Sequence, residues 1–366
     1  MIPVAAPIMG EKELEYVTDC VRSGWVSSLG EYVKRFETGF AAYCGVSHGV
    51  ATHNGTVALH LTLTALGIGP GDEVVIPTLT FVATANAVSY TGATPVFVDS
   101  EEESWNIDPQ AVASAITPRT RAIIAVHLYG HPAQMEPLQQ LAAKHDVSLI
   151  EDAAEAHGAK YRGQRTGSLG DVAMFSFYGN KIITTGEGGM IVTDDHALIE
   201  RCLFLENQAK SISDPYYHSE IGYNYRMTNM QAALGVAQLE RIDEFIAARL
   251  RNAAHYRERL SGVPGLVMPP QADWAQNVYW MFSVLVEPEF GADRDQVMAG
   301  LRHREIETRP LFYPLHSLPM YDSGQSLPVA ERIGRTGLNL PSGSGLTPNE
   351  VDIVCDALID IHRTGE

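Results

Sequence analysis

Between residues 48 and 193 the sequence alternates short apolar segments with segments of helical periodicity, and this alternation constrains the fold most strongly. Helices are predicted over residues 57–66 and 135–144, and two more precede the alternation, over 11–23 and 30–43. The predicted strands are His48–Thr52, Glu73–Ile76, Pro95–Val98, Ala122–Val126, Val147–Ile150, Val172–Ser176 and Met190–Thr193. Helices that connect successive strands indicate an α/β domain around a largely parallel sheet.

The pattern changes near residue 240. A long helix is predicted over residues 229–260, and the segment GVPGLVMPP ends it. A strand at Phe282–Val286 and helices over 294–304 and 348–361 follow. A chain of 366 residues is long enough for two domains. We therefore predict a large domain over residues 1–245 and a smaller α+β domain over residues 246–366.

Composition excludes several classes of protein. Acidic residues outnumber basic ones by 44 to 26, and no basic cluster is present, so binding to nucleic acid is not expected. The sequence contains no apolar run of about 18 residues, so no membrane-spanning helix is expected. The histidines form no HExxH pattern, so no metal site is expected.

The expected location is the cytoplasm. Four cysteines lie far apart and form no CxxC pair, which is typical of a reducing compartment. The segment MIPVAAPIMGEKE has no basic region followed by an apolar core, so no signal peptide is expected there.

One lysine, Lys181, lies between a predicted strand and a glycine-rich turn, in FSFYGNKIITTGEGGM. Burial disfavours the charged form of an amine, and a neutral amine can attack an aldehyde to form a Schiff base. Gly186, Gly188 and Gly189 would let the backbone pass close to a bulky ligand. Lys181 is therefore either a Schiff-base lysine or a surface lysine beside a turn.

Two acids, Glu151 and Asp152, end the apolar segment VSLI. In open α/β sheets ligands bind outside the carboxyl ends of the strands. Asp152 could hydrogen-bond a protonated pyridine nitrogen at that edge, or it could cap the helix predicted to follow.

Two further strand ends carry candidate ligand contacts. In HNGT, Gly55 and Thr56 form a turn before a predicted helix, and the free N–H groups there suit either a phosphate or an ordinary cap. In PTLTFV, Phe81 either stacks on a flat ring or belongs to the core. A lysine, an acid, a phosphate-binding turn and an aromatic ring together are what a site for pyridoxal 5′-phosphate (PLP) needs.

Over nearly its whole length the chain resembles the DegT/DnrJ/EryC1/StrS family of sugar aminotransferases. The segments that match in order are SGWVSSLGEYVKRFE, NGTVALHL, GDEVVIPTLTFVATANAV, EDAAEAHGA, SFYGNKIITTGEGG and GYNYRMTNMQAALG. The resemblance implies the aspartate-aminotransferase-like fold (fold type I) and a PLP-dependent aminotransferase that passes through pyridoxamine phosphate (PMP). GIGPGD, in contrast, lacks the GxGxxG spacing of a nicotinamide enzyme.

The resemblance also implies roles for individual residues. Lys181 would carry the cofactor and Asp152 would pair with its pyridine nitrogen, as the two catalytic residues. Further contacts to the cofactor are implied for Phe81 on the ring, for Glu155 near the phenolic oxygen, and for Gly55, Thr56 and Ser176 on the phosphate. Many members carry Gln at the position of Glu155.

The segment GYNYRMTN is similar to one that reaches into the site of a neighbouring subunit. The resemblance therefore implies a homodimer with shared active sites, in which Asn224 contacts the neighbouring phosphate. The alternatives are that the segment is a structural loop, or that Arg226 is the reaching residue.

Within the family, SWNID and ETRPLFYPLH are most similar to enzymes that aminate C4 of GDP-4-keto-6-deoxy-D-mannose. The expected donor is L-glutamate and the expected product is GDP-perosamine. Residues implied to bind the nucleotide-linked keto-sugar are Trp25, Ser27, Ser28, Arg309, Tyr313 and His316. The alternative for Tyr313 and His316 is packing of the turn around Pro314.

Four alternatives remain open. The substrate could be a UDP-linked 4-keto sugar or a dTDP-linked 3-keto sugar, or the protein could be a PLP-binding regulator without catalysis. A related 3-dehydratase is the fourth, although the dehydratases that it resembles carry His in place of the Schiff-base lysine.

Overall fold

A computed structural model describes residues 1–211, 213–214 and 216–365. Its strands are β1 (His48–Thr52), β2 (Glu73–Pro77), β3 (Thr94–Val98), β4 (Thr120–Val126), β5 (Ser148–Asp152), β6 (Lys160–Tyr161), β7 (Gln164–Arg165), β8 (Val172–Ser176), β9 (Gly189–Thr193), β10 (Leu266–Val267), β11 (Ala275–Gln276), β12 (Phe282–Val286), β13 (Arg309–Pro310) and β14 (Gly337–Leu340).

The helices alternate with these strands in the first part of the chain. They are α1 (Glu11–Ser23), α2 (Glu31–Cys44), α3 (Gly55–Ala65), α4 (Ala83–Tyr90), α5 (Pro109–Ala115), α6 (Met135–His145), α7 (His196–Glu206), α8 (Asn229–Leu239), α9 (Ile242–Leu260), α10 (Arg294–His303), α11 (Pro328–Thr336) and α12 (Pro348–Thr364). Three short 3₁₀ turns, Leu128–Gly130, Pro288–Phe290 and Leu315–Ser317, complete the described helical segments.

A seven-stranded sheet forms the centre of the molecule, in the order β1-β9-β8-β5-β4-β2-β3. The pairs from β8 to β3 are parallel, whereas β9 runs antiparallel to both of its neighbours. Strands covered on both faces need apolar side chains in both directions, and every residue of β2 and β9 is buried. The predicted α/β architecture with a mostly parallel, mixed sheet is confirmed.

The long helix predicted over 229–260 is wrong in one respect, because the structure divides it into α8 and α9. Arg241, between them, has φ −117° and ψ 5°, outside the helical range. Its guanidinium lies 3.3 Å from the carboxylates of both Glu13 and Glu244. α8 packs on α1 and α2, whereas α9 packs on α12, so the break directs consecutive helices to different partners.

The C-terminal unit (residues 242–365) contains the antiparallel sheet β10-β12-β14-β13, packed by α9, α10 and α12. Its core includes Tyr256, Phe282, Phe290 and Leu358, all fully or almost fully buried. A third, small sheet pairs β11 of this unit with β6 and β7. In the part of the chain that is described, no helix is long and apolar enough to cross a membrane.

Residues near the start of the sequence pair with the C-terminal unit. Ile2 N donates to Glu305 O at 2.8 Å, and Ser342 N donates to Val4 O at 2.7 Å. The boundary expected after residue 245 lies inside α9, a continuous helix. The division into domains 1–245 and 246–366 stays a prediction.

Candidate active site

The carboxyl ends of the central strands and the edge of the C-terminal unit enclose a cavity of about 560 Å³. This is where ligands bind in open α/β sheets, since the loops after the strands diverge there. Eight of the predicted site residues line it: Gly55, Thr56, Phe81, Asp152, Glu155, Ser176, Lys181 and Arg309.

Lys181 lies in the turn after β8, and its backbone N–H donates to Tyr178 O at 2.9 Å. Its side chain is 11% exposed, and Nζ lies 3.8 Å from Oε1 of Glu155. Burial lowers the pKa of this amine, while the carboxylates of Glu155 and Asp152 oppose the shift. A lysine whose pKa is lowered offers more of the neutral amine that nucleophilic attack requires.

Asp152 is the last residue of β5 and is almost fully buried. Thr84 Oγ1 donates to its Oδ2 at 2.8 Å, and Ala154 N donates to its Oδ1 at 3.2 Å. Burial raises the pKa of this carboxyl, although both hydrogen bonds and the nearby Lys181 lower it. Each oxygen retains acceptor capacity for a protonated ligand.

Glu155 follows three residues later and faces the same cavity. Tyr129 N donates to its Oε2 at 2.7 Å, which leaves Oε1 towards Lys181. Burial raises the pKa of Glu155 to about 7, against the opposing effects of Lys181 and the Tyr129 N–H. Glu155 is therefore suited to gain or lose a proton near neutral pH.

The first turn of α3 forms the end of the cavity that is suited to an anion. Asn54 caps the helix by accepting from Val57 N at 3.0 Å. Gly55 and Thr56 are the first residues of the helix, where N–H groups have no intrahelical acceptor. A Cβ at position 55 would lie 2.9 Å from Ser176 Cβ, so only glycine lets α3 approach β8 this closely.

Aromatic rings form the opposite wall. Phe312 stacks on Tyr129 at a centroid distance of 5.1 Å, and Tyr129 stacks on Trp280 at 6.1 Å. Phe81 packs against Phe312 at 5.8 Å and is 55% exposed. Its free face can stack on a flat ligand.

A model of the DegT/DnrJ/EryC1/StrS aminotransferase family matches residues 7–359 of this sequence. The chain belongs to this aminotransferase family. It is 48% identical to GDP-perosamine synthase of Caulobacter vibrioides over 360 residues. The matched region covers 98% of this chain and 97% of the relative. It is 45% identical over 362 residues to the protein of the same name from Escherichia coli O157:H7, with coverages of 99% and 98%.

A solved structure agrees with these relatives. DesV of S. venezuelae, in complex with a ketimine intermediate, matches this family member with a TM-score of 0.90 and 41% identity, over 96% of this chain and 94% of that chain. The resemblance of the sequence to the family, the aspartate-aminotransferase-like fold and the assignment as a sugar aminotransferase are confirmed. The family uses PLP, so PLP is the cofactor expected in this cavity.

The remaining predicted residues of this aminotransferase lie outside the cavity. Trp25 and Ser27 belong to an exposed loop whose carbonyl oxygens accept from Asn229, at 2.8 Å from the side chain and 2.6 Å from the backbone. The further residues outside the cavity are Ser28, Asn224, Tyr313 and His316. Their roles stay predictions.

His316 has protein partners at both ring nitrogens. Nδ1 lies 2.7 Å from Thr78 Oγ1, and Nε2 lies 3.2 Å from Glu331 Oε1. These contacts fix the turn after Pro314. Asn224 is exposed, Arg226 is half-buried, and neither lines the cavity of its own subunit.

Sequence reasoning missed four residues that shape the site. Tyr129, Thr84, Asn180 and Trp280 all line the cavity. Thr84 and Asn180 lie within segments that the resemblance already singled out, so their neighbourhood was a usable signal. Tyr129 adopts φ 52°, and the sequence signal for that turn is the following Gly130 and Pro132.

Proposed function

We propose that this family member transfers the amino group of L-glutamate to C4 of GDP-4-keto-6-deoxy-D-mannose, giving GDP-perosamine and 2-oxoglutarate. The observation that carries the proposal is the convergence of the Lys181 amine with Asp152 and Glu155 in one cavity. The choice of GDP-linked sugar is supported by the relatives named GDP-perosamine synthase, at 44–48% identity.

The residues of the cavity fit PLP. Asp152 supplies a buried carboxylate for the pyridine nitrogen, and Phe81 supplies an exposed face for the ring. Gly55, Thr56 and Ser176 surround the end of α3, whose free N–H groups suit the phosphate. When bound there, PLP supplies an electron sink for the carbon that exchanges its amino group.

Proton transfer is assigned to this chain's own groups. As the neutral amine, Lys181 Nζ removes the proton from the α-carbon of glutamate and becomes an ammonium group. In the second half-reaction the ammonium form of the same side chain delivers a proton to C4 of the sugar. Glu155 Oε1, on the same side as Lys181 Nζ, sets the charge of that amine. The wall of Phe312, Tyr129 and Trp280 keeps water away from these groups.

Attachment of the cofactor tests the role of Lys181. We expect borohydride treatment of the protein with PLP to add the cofactor mass only to the peptide that contains Lys181. Lys181→Ala should lose this label and reduce the rate of amino transfer by at least about 10⁴-fold. A Lys181→Ala enzyme with near-normal rates would contradict the assignment.

A panel of substrates tests the sugar nucleotide. Purified protein would be incubated with L-glutamate and GDP-, UDP- or dTDP-linked keto-sugars, and the aminated products identified by mass spectrometry. Product from the GDP-4-keto sugar alone would support the proposal. Product from UDP- or dTDP-linked sugars alone would favour the corresponding alternative.

We also propose a homodimer in which Asn224 completes the partner's site. Its support is the exposure of Asn224 together with the apolar side chains of Tyr216 and Ile221 nearby in sequence. Lys181→Ala and Asn224→Ala subunits should be inactive alone, but their mixture should regain activity because a hybrid dimer contains one intact site. A mixture of inactive variants that forms hybrids without regaining activity would place Asn224 in its own subunit's site, and an Asn224→Ala protein that is active alone would place it in none.

A further inference from the structure

The amine of Lys181 rests on the face of an indole ring. Nζ lies 3.7 Å from the centroid of Trp280, in addition to its approach to Glu155. Aromatic faces attract cations through the ring quadrupole, and tryptophan does so most strongly. Trp280 is 5% exposed, so bulk water screens little of this interaction.

Two contacts aim the indole at Lys181. Trp280 Nε1 donates to the carbonyl oxygen of Asn180, the residue directly before Lys181, at 2.9 Å. The ring stacks on Tyr129 with an interplanar angle of 14°. Tyr129 also donates its backbone N–H to Glu155, so one residue braces both groups that flank the amine.

The backbone of Trp280 is held by Arg249 of α9. Its Nη1 donates to the carbonyl oxygens of Trp280 at 2.7 Å and Ser342 at 2.9 Å, and its Nε donates to Ser344 Oγ at 3.1 Å. Arg249 is buried, and among the described residues no carboxylate contributes to its pKa. Burial lowers the pKa of this guanidinium to about 10. A buried cation bound to carbonyl oxygens keeps the segment in one place.

The turn of Leu128–Gly130 approaches the same segment closely. Gly130 has φ 101°, and a Cβ there would lie 2.9 Å from Trp280 N. Val278 N donates to Gly130 O at 3.2 Å. The position of the indole is therefore fixed by contacts of the Trp280 side chain, of its carbonyl oxygen and of its backbone nitrogen.

We infer that Trp280 is a positioning residue that receives the amine of Lys181 whenever that amine is not attached to the cofactor. The inference rests on the proposed function only in assuming that Lys181 alternates between attached and free. A free lysine side chain has four rotatable bonds. An amine without a fixed position would have to return to the reacting carbon before each proton transfer. The indole face and Glu155 Oε1 together define one resting position.

The chemical consequence concerns the charge of the amine. Burial favours neutral Lys181, whereas the indole face favours the ammonium form, so Trp280 keeps the pKa of Lys181 higher than the cavity alone would set it. The side chain thereby remains able both to take up and to release a proton.

Nuclear magnetic resonance of the ε-methylene group of Lys181 tests the inference. The full-length apo-protein would be labelled with ¹³C only in lysine, and Lys181→Arg would identify the signal by its disappearance. The matched variants are Trp280→Leu, which removes the ring and its N–H, and Trp280→Phe, which keeps a ring face but loses the bond to Asn180 O. Trp274→Phe, outside the cavity, is the control for an aromatic substitution elsewhere.

In the wild type we expect the Lys181 signal upfield of the other lysines, because it lies over the ring. Trp280→Leu should abolish this displacement and lower the titration midpoint of Lys181 by about 0.5 to 1.5 pH units. Trp280→Phe should retain part of both effects, and Trp274→Phe should retain all of both. The wild-type measurement alone suffices if Trp280→Leu fails to fold, since a Lys181 signal without upfield displacement overturns the inference.

The result separates the positioning role from the proposed function. A protein that is labelled by PLP and borohydride at Lys181, yet shows no Trp280-dependent shift, contradicts only the role of Trp280. A protein with the shift but without labelling contradicts the proposed function instead. An unchanged titration midpoint in folded Trp280→Leu also counts against the inference.

Discussion

Glu151 and Asp152 are consecutive acids at the end of β5, and they face opposite sides of the sheet edge. Asp152 faces the cavity and accepts two hydrogen bonds, from Thr84 Oγ1 and Ala154 N. A carboxylate has about four acceptor positions, so Asp152 keeps roughly half of them for a ligand.

Glu151 keeps no free acceptor position for a ligand. Its Oε1 accepts from Leu169 N and Gly170 N at 2.7 and 2.8 Å. Its Oε2 accepts from Gly167 N and from His127 Nε2, each at 2.9 Å. All four acceptor positions are used by the protein, so Glu151 organises the backbone behind the site.

Burial alone does not separate an acid whose acceptor positions are filled by the protein from one that keeps positions for a ligand. Glu151, Asp152 and Glu155 are all buried. The number of protein donors on each carboxylate distinguishes them, and it falls from four on Glu151 to one on Glu155 in the direction of Lys181.

Among the three acids, the largest loss of activity is expected from Asp152→Asn. An amide no longer presents a full negative charge to the bound cofactor, so the rate of amino transfer should fall by about 10²- to 10³-fold. The free energy of unfolding of the apo-protein should change by less than about 1 kcal/mol, because Thr84 can reverse its hydroxyl and burial penalised the charge. Steady-state rates and urea unfolding measure the two effects. A large loss of stability would break the contrast with Glu151.

Glu151→Gln should lose stability but keep its activity, in contrast to Asp152→Asn. Each carboxylate oxygen accepts two hydrogen bonds, so in either orientation the new NH₂ group confronts two donors. We expect the free energy of unfolding to fall by about 2–5 kcal/mol, while the rate per folded molecule stays close to wild type. Urea unfolding with activity measured on the folded fraction tests this, and an inactive but fully stable variant would reassign Glu151 to catalysis.

A smaller effect should distinguish Glu155 through its pH dependence. Its pKa is raised from 4.5 to about 7, so the folded protein holds this proton more tightly than the unfolded chain does. The resulting stability is present below about pH 4.5 and is lost as the pH rises through about 7.

Over this interval the free energy of unfolding of the apo-protein should fall by about 1–3 kcal/mol more in the wild type than in Glu155→Gln. Unfolding in urea across the pH range provides the measurement. Glu37 and Glu206, whose pKa values burial raises to about 7 and about 8, contribute equally to both proteins and cancel in the difference. Identical pH profiles would show that Glu155 is not held in its protonated form.

Local pattern was enough to predict the strands of the central sheet and the position of Asp152 at a strand end. It left open whether Lys181 is a Schiff-base or a surface lysine, and the resemblance to the family decided between the two. Apolar runs that end in polar residues identify the carboxyl edge, and residues at that edge must converge once the strands are parallel. The break at Glu240 and Arg241 could not be predicted in this way. Neither residue is Gly or Pro, and the helix ends there because of its tertiary partners.

The wall of the cavity was equally inaccessible to local reasoning. Trp280 lies far from Lys181 in sequence, and its role depends on the bond to Asn180 O and on Arg249. The saturation of Glu151 also depends on three backbone donors that are distant in sequence. An apolar tryptophan in a strand-like segment predicts only burial.

The pairing of Ile2 and Val4 with the C-terminal unit has a consequence for synthesis on the ribosome. When the first 245 residues have emerged from the ribosome, the nascent chain exposes Lys181 and both cavity acids, but Trp280 and Asn339 have not yet emerged. Until the C-terminal unit emerges, Ile2 and Val4 lack their hydrogen-bond partners Glu305 and Ser342. The Lys181 amine is therefore exposed to solvent without Trp280 and Phe312 until the C-terminal unit has emerged, and the pairing of Ile2 and Val4 with that unit coincides with completion of the cavity.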